Sequence, residues 1–238
     1  MSEIGIAVDP SPVPRPQPRV LPGRVVTLRP FDRLAHAQAL YEATHGSDKE
    51  DLWRYMGDGP YASRAAFEAA FEQKQSSVDP LFFAIVDNAS GVPVGQASYL
   101  RIDPANRVIE VGNIIFTAAL QRSSGATEAM YLMARHAFDD LRYRRYEWKC
   151  NALNQPSRRA ALRLGFVFEG IFRQHMIVKG RNRDTAWFSM LDSEWPVRKA
   201  NFEQWLAPSN FDPAGRQALS LSSLNVSVSP KAPSATFR

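Results

Sequence analysis

The sequence predicts a mixed α/β domain, and three observations carry that prediction. Short apolar or alternating runs bounded by turn residues recur along the middle of the chain, which is the signature of strands. Three of these runs are joined by the turns "NASG" and "DPAN", which makes them an antiparallel meander. After the meander the pattern becomes helix, strand, helix and a closing hairpin, an order that belongs to a layered α/β arrangement.

Each element has its own local reason. "GRVVTLRPF" reads as a strand that Pro30 ends, because proline lacks the ladder donor. Leu34, Ala37, Tyr41 and Thr44 form a helical stripe stopped by Gly46. "DLWRYMGDGPY" reads as a loop with exposed aromatics. A helix over about Ser63 to Gln75 places Phe67, Ala70 and Phe71 on one face. "LFFAIVD", "VGQASYLRI" and "RVIEVGNIIF" are the meander strands. Met130, Met133, Ala134, Ala137, Phe138 and Leu141 give the next helix its buried face. "RRYEWKC" is a strand. "NQPSRRAALRLGF" is a helix with Pro156 in its first turn and Gly165 at its end. "FVFEGIFRQHMIV" and "DTAWFSMLD" form a hairpin about "KGRNR", and a last helix carries Trp195, Phe202, Trp205 and Leu206.

The chain ends read differently. Six of the 17 prolines lie between Pro10 and Pro22, so residues 1–22 are expected to be a proline-rich flexible tail. From about Ala207 the serine-rich sequence shows no helical stripe, so 207–238 is expected to be a second tail, flexible or draped over the domain. The domain proper is then 23–206, and both tails are expected to be dispensable for its fold.

Bulk properties narrow the function. The chain has 238 residues, 45% of them hydrophobic, enough for one sizeable core. Its net charge of +5 suits an anionic ligand. One cysteine, Cys150, allows no internal disulfide and points to a cytoplasmic setting. No apolar run reaches the ~18 residues of a membrane span. The opening "MSEIGIAVDP" lacks the basic-then-apolar layout of a signal peptide. No metal is expected.

One loop stands out. Arg122, Ser123, Ser124, Gly125, Ala126 and Thr127 lie where the chain enters a long helix. A helix entrance presents unpaired amides and a partial positive charge. Gly125 lets backbone approach a ligand, Arg122 adds a cation, and the hydroxyls add donors, a combination suited to a pyrophosphate. The same residues also read as a plain helix cap.

The loop follows a meander strand and precedes a strand and a helix headed by Asn154. That order, with these motifs, resembles the GNAT superfamily of acetyl-CoA-dependent N-acetyltransferases, and within it the RimJ/RimL-like group, over roughly Arg24 to Trp195. Arg122 and Gly125 match the superfamily's Arg/Gln-x-x-Gly-x-Gly/Ala signature, with Thr127 departing at its last position. "NALNQPSRRAALRLGF" is similar to the family's Asn-x-x-Ser/Ala helix running into Gly-Phe.

The resemblance implies a GNAT-type acyltransferase fold. That is a central, mostly antiparallel twisted sheet with helices on both faces and strands splayed at the cofactor site. It implies transfer of an acetyl group from acetyl-CoA to an amine by direct attack on the thioester. It places the pantetheine along Asn113, Ile114, Ile115, Phe116 and Thr117, the pyrophosphate on Arg122–Thr127, and the cofactor arm at Asn154. Ala161 stands where many relatives carry a proton-donating tyrosine, so the RimL-like serine, here Ser157, takes that role. A first-turn serine bonding a backbone amide explains the same residue equally well. Glu110 and His175 are the alternatives for the base, and a water relay is a third. Trp53, Tyr55, Tyr61, Arg173, His175 and Asp184 are expected to line the acceptor site, although core packing accounts as well for Trp53 and Tyr61.

Other functions stay in view. "RYRRYEWK" and "SRRAALR", interleaved with Tyr143 and Tyr146, suit a nucleic-acid-binding module, but they are spread over several elements with no recognised motif around them. A catalytically idle CoA-binding protein is a third class. The acceptor is either a small amine or a protein amino terminus, and a homodimer stays open.

Overall fold

The computed structural model describes residues 5–226. The fold is mixed α/β, as the pattern predicts. The chain divides into two compact units, residues 1–147 and 148–238.

The first unit holds the meander. Strands β1 (Leu21–Pro22), β2 (Val26–Pro30), β3 (Leu81–Asp87), β4 (Pro93–Asp103) and β5 (Val108–Phe116) pair in that order, each antiparallel to the next. Strand β3 is buried from Leu81 to Val86, as a central strand covered on both faces must be. On one face Phe82, Ala84 and Val86 join Phe67 and Phe71 of helix α2 (Arg64–Gln75) and Leu40 of helix α1 (Gln38–Thr44) in one apolar cluster. On the other, Phe83 packs edge-on to Tyr99, whose hydroxyl donates to the Met133 carbonyl of helix α3 (Ser124–Arg135) at 2.6 Å. A strand that is apolar and buried from Leu81 to Val86 thus packs on both faces, and truncating a buried phenylalanine in such a position costs about 3–5 kcal/mol.

Helix α2 starts where its sequence says it should. Ser63 is the N-cap, and its side chain accepts from the Ala66 amide. The sheet carries one irregularity that matters later. The β4–β5 register shifts between the Gln96–Ile115 and Ser98–Gly112 pairs, and Asn113 there adopts φ 52°. Such a bulge re-aims the residues around it.

In the second unit, helix α4 (Gln155–Arg163) precedes the antiparallel hairpin of β7 (Val167–Val178) and β8 (Arg181–Leu191), followed by α5 (Trp195–Leu206) and α6 (Leu221–Val226). Strand β6 (Arg145–Asn151) runs across the division.

Both expected tails are fastened to their neighbours over their described parts, the second one draped as its alternative reading allowed. Residues 5–22 are extended, as prolines dictate, but they are fastened. Arg15 donates to the Ile102 carbonyl at 3.2 Å and pairs with Asp79 at 3.1 Å. The Val13 amide donates to the Pro104 carbonyl, Arg107 pairs with Asp9, and Leu21–Pro22 add a short strand. At the other end Asn210 bonds to Trp205 and Leu219, and the α6 residue Asn225 bonds to Arg163 and Arg198. Proline-rich composition reports backbone shape, not whether a surface waits to receive it. Residues 1–4 and 227–238 lie outside the described residues.

Removing residues 1–20 is therefore expected to lower the melting midpoint by roughly 3–6 °C, the shift that about 1.5 kcal/mol produces in a chain of this size. An unchanged midpoint by calorimetry would show that these contacts add nothing to the fold.

Candidate active site

The polar loop singled out in the sequence is the entrance of α3. Ser123 is its N-cap, with φ −95° and ψ 164°, and its Oγ accepts from the Ala126 amide at 3.3 Å. That bond leaves the Ser124 and Gly125 amides, first-turn donors without an intrahelical acceptor, uncapped by Ser123. Arg122 precedes the cap in the left-handed region at φ 58° and is exposed. It makes no ion pair among the described residues. Thr127, by contrast, is 3% exposed, so its hydroxyl faces the packed side of the helix and not the loop surface.

Gly125 has a packing reason that the sequence did not show. A Cβ placed there would lie 2.8 Å from Val26 Cγ1. The glycine lets the helix sit against β2, whatever else it permits at the loop.

The strand leading into this loop is shaped by its bulge. Asn113 Nδ2 donates to Ser98 Oγ at 2.9 Å, and its carbonyl accepts from Gln96 Nε2 at 3.1 Å. Asn113, Ile114 and Phe116 are half-buried, whereas Ile115 belongs to the apolar cluster. Thr117 is buried and bonds the Val94 carbonyl through both its amide and its hydroxyl. Glu110, on the same strand, is 3% exposed, and its Oε2 is 2.6 Å from Arg101 Nη1.

In the second unit, Asn154 is the N-cap of α4: its Oδ1 accepts from the Ser157 amide at 3.1 Å. The capping role that a first-turn serine could have played thus belongs to Asn154. Ser157 Oγ instead accepts from the indole of Trp148 at 3.0 Å. The only cysteine, Cys150, is buried; burial pushes its thiol pKa up, and the Ser157 hydroxyl is the first of the opposing influences.

The hairpin groups the other expected residues of this unit. His175 Nδ1 lies 2.9 Å from Thr185 Oγ1, and its ring packs among Phe172 and Trp187. Lys149 Nζ sits 3.7 Å above the Trp187 ring, a cation–π contact absent from the sequence reading. Arg173 is exposed. Asp184 Oδ1 accepts from the Gln174 amide and from Asn182 Nδ2, bonds that hold its carboxyl below the usual range. Its first task is to hold Gln174, which has φ 51°.

The loop after α1 corrects the expectation of exposed aromatics. Trp53 is 1% exposed, donates to the Thr44 carbonyl at 2.8 Å and belongs to the apolar cluster. Tyr61 is half-buried, edge-on to Trp53, and donates to Asp58, which also pairs with Lys74. Burial pushes the Asp58 carboxyl up, but Lys74 and Tyr61 outweigh it and hold it low. Tyr55 stays half-buried. His45 was not anticipated here. Its Nε2 accepts from the Tyr61 amide at 3.2 Å, and its ring lies between Tyr41 and Trp53.

Tyr143 and Tyr146, the aromatics among the basic residues, are each 1% exposed and cannot stack on bases. Among the described residues no group of three His, Cys, Asp or Glu could hold a metal, and no helix is long and apolar enough to cross a membrane.

With this geometry in place, the comparisons with known proteins agree on the class. Residues 26–167 match the acetyltransferase (GNAT) domain, so the chain belongs to the GNAT family of acetyltransferases. A GCN5-related N-acetyltransferase from Brucella melitensis is 50% identical in its crystal structure, with TM-score 0.89 over 91% of this chain and 98% of that one. The putative ribosomal N-acetyltransferase YdaF of Bacillus subtilis is 30% identical over 105 residues, 44% of this chain and 57% of the relative. The chain spans about half the length of the curated relatives it matches. RimL, a ribosomal L7/L12 alpha-N-protein acetyltransferase solved with coenzyme A, shares the fold at 20% identity, with TM-score 0.62 over 73% of this chain and 98% of that one. These likenesses agree with the resemblance to the RimJ/RimL-like group.

The Tyr61 loop yields a pH prediction. His45 must be neutral at Nε2 to accept the Tyr61 amide, and burial, the largest influence, lowers its pKa. Below about 6.5 the unfolded chain then binds the proton that the folded chain refuses, so stability falls as pH falls through that value. His36 and His136 act in the same direction. Urea midpoints are expected to drop between about pH 7.5 and about pH 5.5, and to drop less in His45→Gln, whose amide oxygen can accept the same bond. Equal slopes in both proteins would remove His45 from the account.

Proposed function

We propose that this chain is an acetyl-CoA-dependent N-acetyltransferase whose acceptor is the amino terminus of a protein. The observation that carries the reading is the α3 entrance. An exposed arginine without an ion-pair partner precedes a capped helix start with two uncapped amides. That donor set fits a pyrophosphate, since both the amides and the guanidinium favour a dianionic group. The protein acceptor is supported by the relatives, one named a putative ribosomal N-acetyltransferase and the other a ribosomal-protein-serine acetyltransferase. A small-molecule amine is the outcome that would redirect it.

The chemistry assigns roles to this chain's own residues. Arg122 and the uncapped amides of Ser124 and Gly125 hold the phosphates, flanked by Ser123 and Ala126, with Thr127 behind them as part of the helix. Backbone groups along Asn113–Thr117 lie against the pantetheine, and the Asn154 side-chain amide, whose oxygen caps α4, offers its NH2 to the cofactor arm. Acetyl-CoA is the acetyl donor. An amine attacks only when neutral, so Glu110, His175 or a relayed water removes its proton. Glu110 is tied to Arg101, whereas His175 is exposed on the hairpin, which makes His175 the more accessible of the two. Ser157 returns a proton to the departing thiolate. Tyr55 and Tyr61 are the acceptor-contact candidates of the first unit, with Trp53 supporting them from within its core, and Arg173 and Asp184 are those of the second.

Calorimetry with CoA tests the site. Arg122→Glu is expected to weaken binding roughly 10- to 100-fold, the loss of a charge-assisted phosphate contact of about 1.5–3 kcal/mol. Unchanged affinity in a folded variant overturns the assignment. A screen of peptides with free amino termini against small amines, read as thiol released from acetyl-CoA, then decides the acceptor.

A further inference from the structure

The indole of Trp148 ends on Ser157. Trp148 lies on β6 and is 5% exposed, and its Nε1 donates to Ser157 Oγ at 3.0 Å. An indole nitrogen can only donate. Ser157 Oγ must therefore accept, and the single proton of the hydroxyl is left for another acceptor, which without ligand is the neighbouring Cys150 sulfur. The residue is held from the other side as well, because its amide donates to the Asn154 cap at 3.1 Å. Trp148 is itself set in place by Phe166, edge-on at 5.7 Å. The helix cap fixes the backbone of Ser157, and the indole fixes which way its hydroxyl works.

We infer that Trp148 is a positioning residue for acyl transfer, which by donating to Ser157 Oγ makes that hydroxyl an obligate proton donor toward the CoA sulfur. The inference rests on the reading of Ser157 as the group that protonates the leaving thiolate. In that step the C–S bond of the tetrahedral adduct breaks and sulfur keeps the electron pair. The Ser157 proton passes to sulfur, and water reprotonates the serine oxygen. The proton lost by the attacking amine restores the water, so the sum is an amide and a free thiol. A serine hydroxyl is a weak acid. Negative charge growing on its oxygen meets an indole N–H already in place, in a part-buried setting where such a bond counts for more than in water. No motif of the sequence marks this pair, because Trp148 precedes the helix that carries Ser157 by a strand end and a turn.

Trp148→Phe keeps a ring and removes the donor. The first measurement uses the protein without ligand: the indole N–H resonance of Trp148 is expected to move, and to exchange faster with solvent, in Ser157→Ala. A resonance unchanged by that substitution overturns the inference, even if Trp148→Phe does not fold. The second uses CoA as the probe and reads the pKa of its bound thiol from thiolate absorbance, complex minus protein alone. Ser157→Ala and Trp148→Phe are each expected to raise that pKa by about one unit, a tenfold loss of thiolate, with CoA affinity within roughly twofold of the parent. The double variant is expected to shift no further than Ser157→Ala. Additive shifts, or none in Trp148→Phe, mean that the indole only packs. No shift in Ser157→Ala removes the Ser157 role and this inference with it. Absence of CoA binding in the parent protein overturns the proposed function itself.

Discussion

Three consecutive backbone amides, those of Arg24, Val25 and Val26, donate to one buried carboxylate, Glu128, at 2.9, 2.6 and 2.8 Å. Much of the first unit depends on that arrangement. The three amides belong to the chain entering β2, and the carboxylate belongs to the first turns of α3. Without Glu128 the buried Val26 amide would be a donor with no acceptor, costing about 1–3 kcal/mol. With it, the start of the strand is bound to the start of the helix. Val26 then presses so closely on Gly125 that no larger residue fits there without movement. The helix entrance is located from behind, by packing and by a carboxylate, and its outer side is left to Arg122 and the uncapped amides.

A second constraint shapes the approach to that entrance. The bulge at Asn113 is pinned by side chains of the neighbouring strand, Gln96 and Ser98. Thr117 then closes the strand end with two bonds to one carbonyl. A bulge costs a ladder bond and twists the strand; here the lost pairing is replaced by side-chain bonds. The second unit solves its local problem by different means. A capped helix and an indole donor hold one serine, and the hairpin gathers His175, Trp187 and Lys149 around a buried threonine. In both units the polar groups that could do chemistry are held by neighbours with no role in the chemistry.

The elements were largely legible in the sequence because their signals are local. Ser63 capped α2, Pro156 and Gly165 bracketed α4, and "LFFAIVD" spans β3 as observed. The entrance of α3 was legible too, since a polar glycine-containing start to a helix depends on a few adjacent residues. Trp53 stayed open between wall and core because an aromatic in a glycine-rich loop looks exposed until its partners, Thr44 and Phe67 among others, are known. The fastening of the chain ends was illegible for the same reason. Proline composition predicts an extended backbone, and says nothing of Asp79 and Arg107 waiting for it.

What the sequence determined alone was the class: the order of strands and helices, the meander, the helix entrance and the family they resemble. These rest on hydrophobic period, turn chemistry and capping, all of which act over a few residues. Only the tertiary structure decided that Glu128 receives three amides, that Gly125 is a contact with Val26, that Asn154 caps α4 and that Ser157 answers to Trp148. A hydrogen bond between distant residues depends on direction and burial, and neither is written in the spacing of the chain. The roles of individual polar side chains were therefore open until the backbone had brought their partners within 3 Å or so of each other.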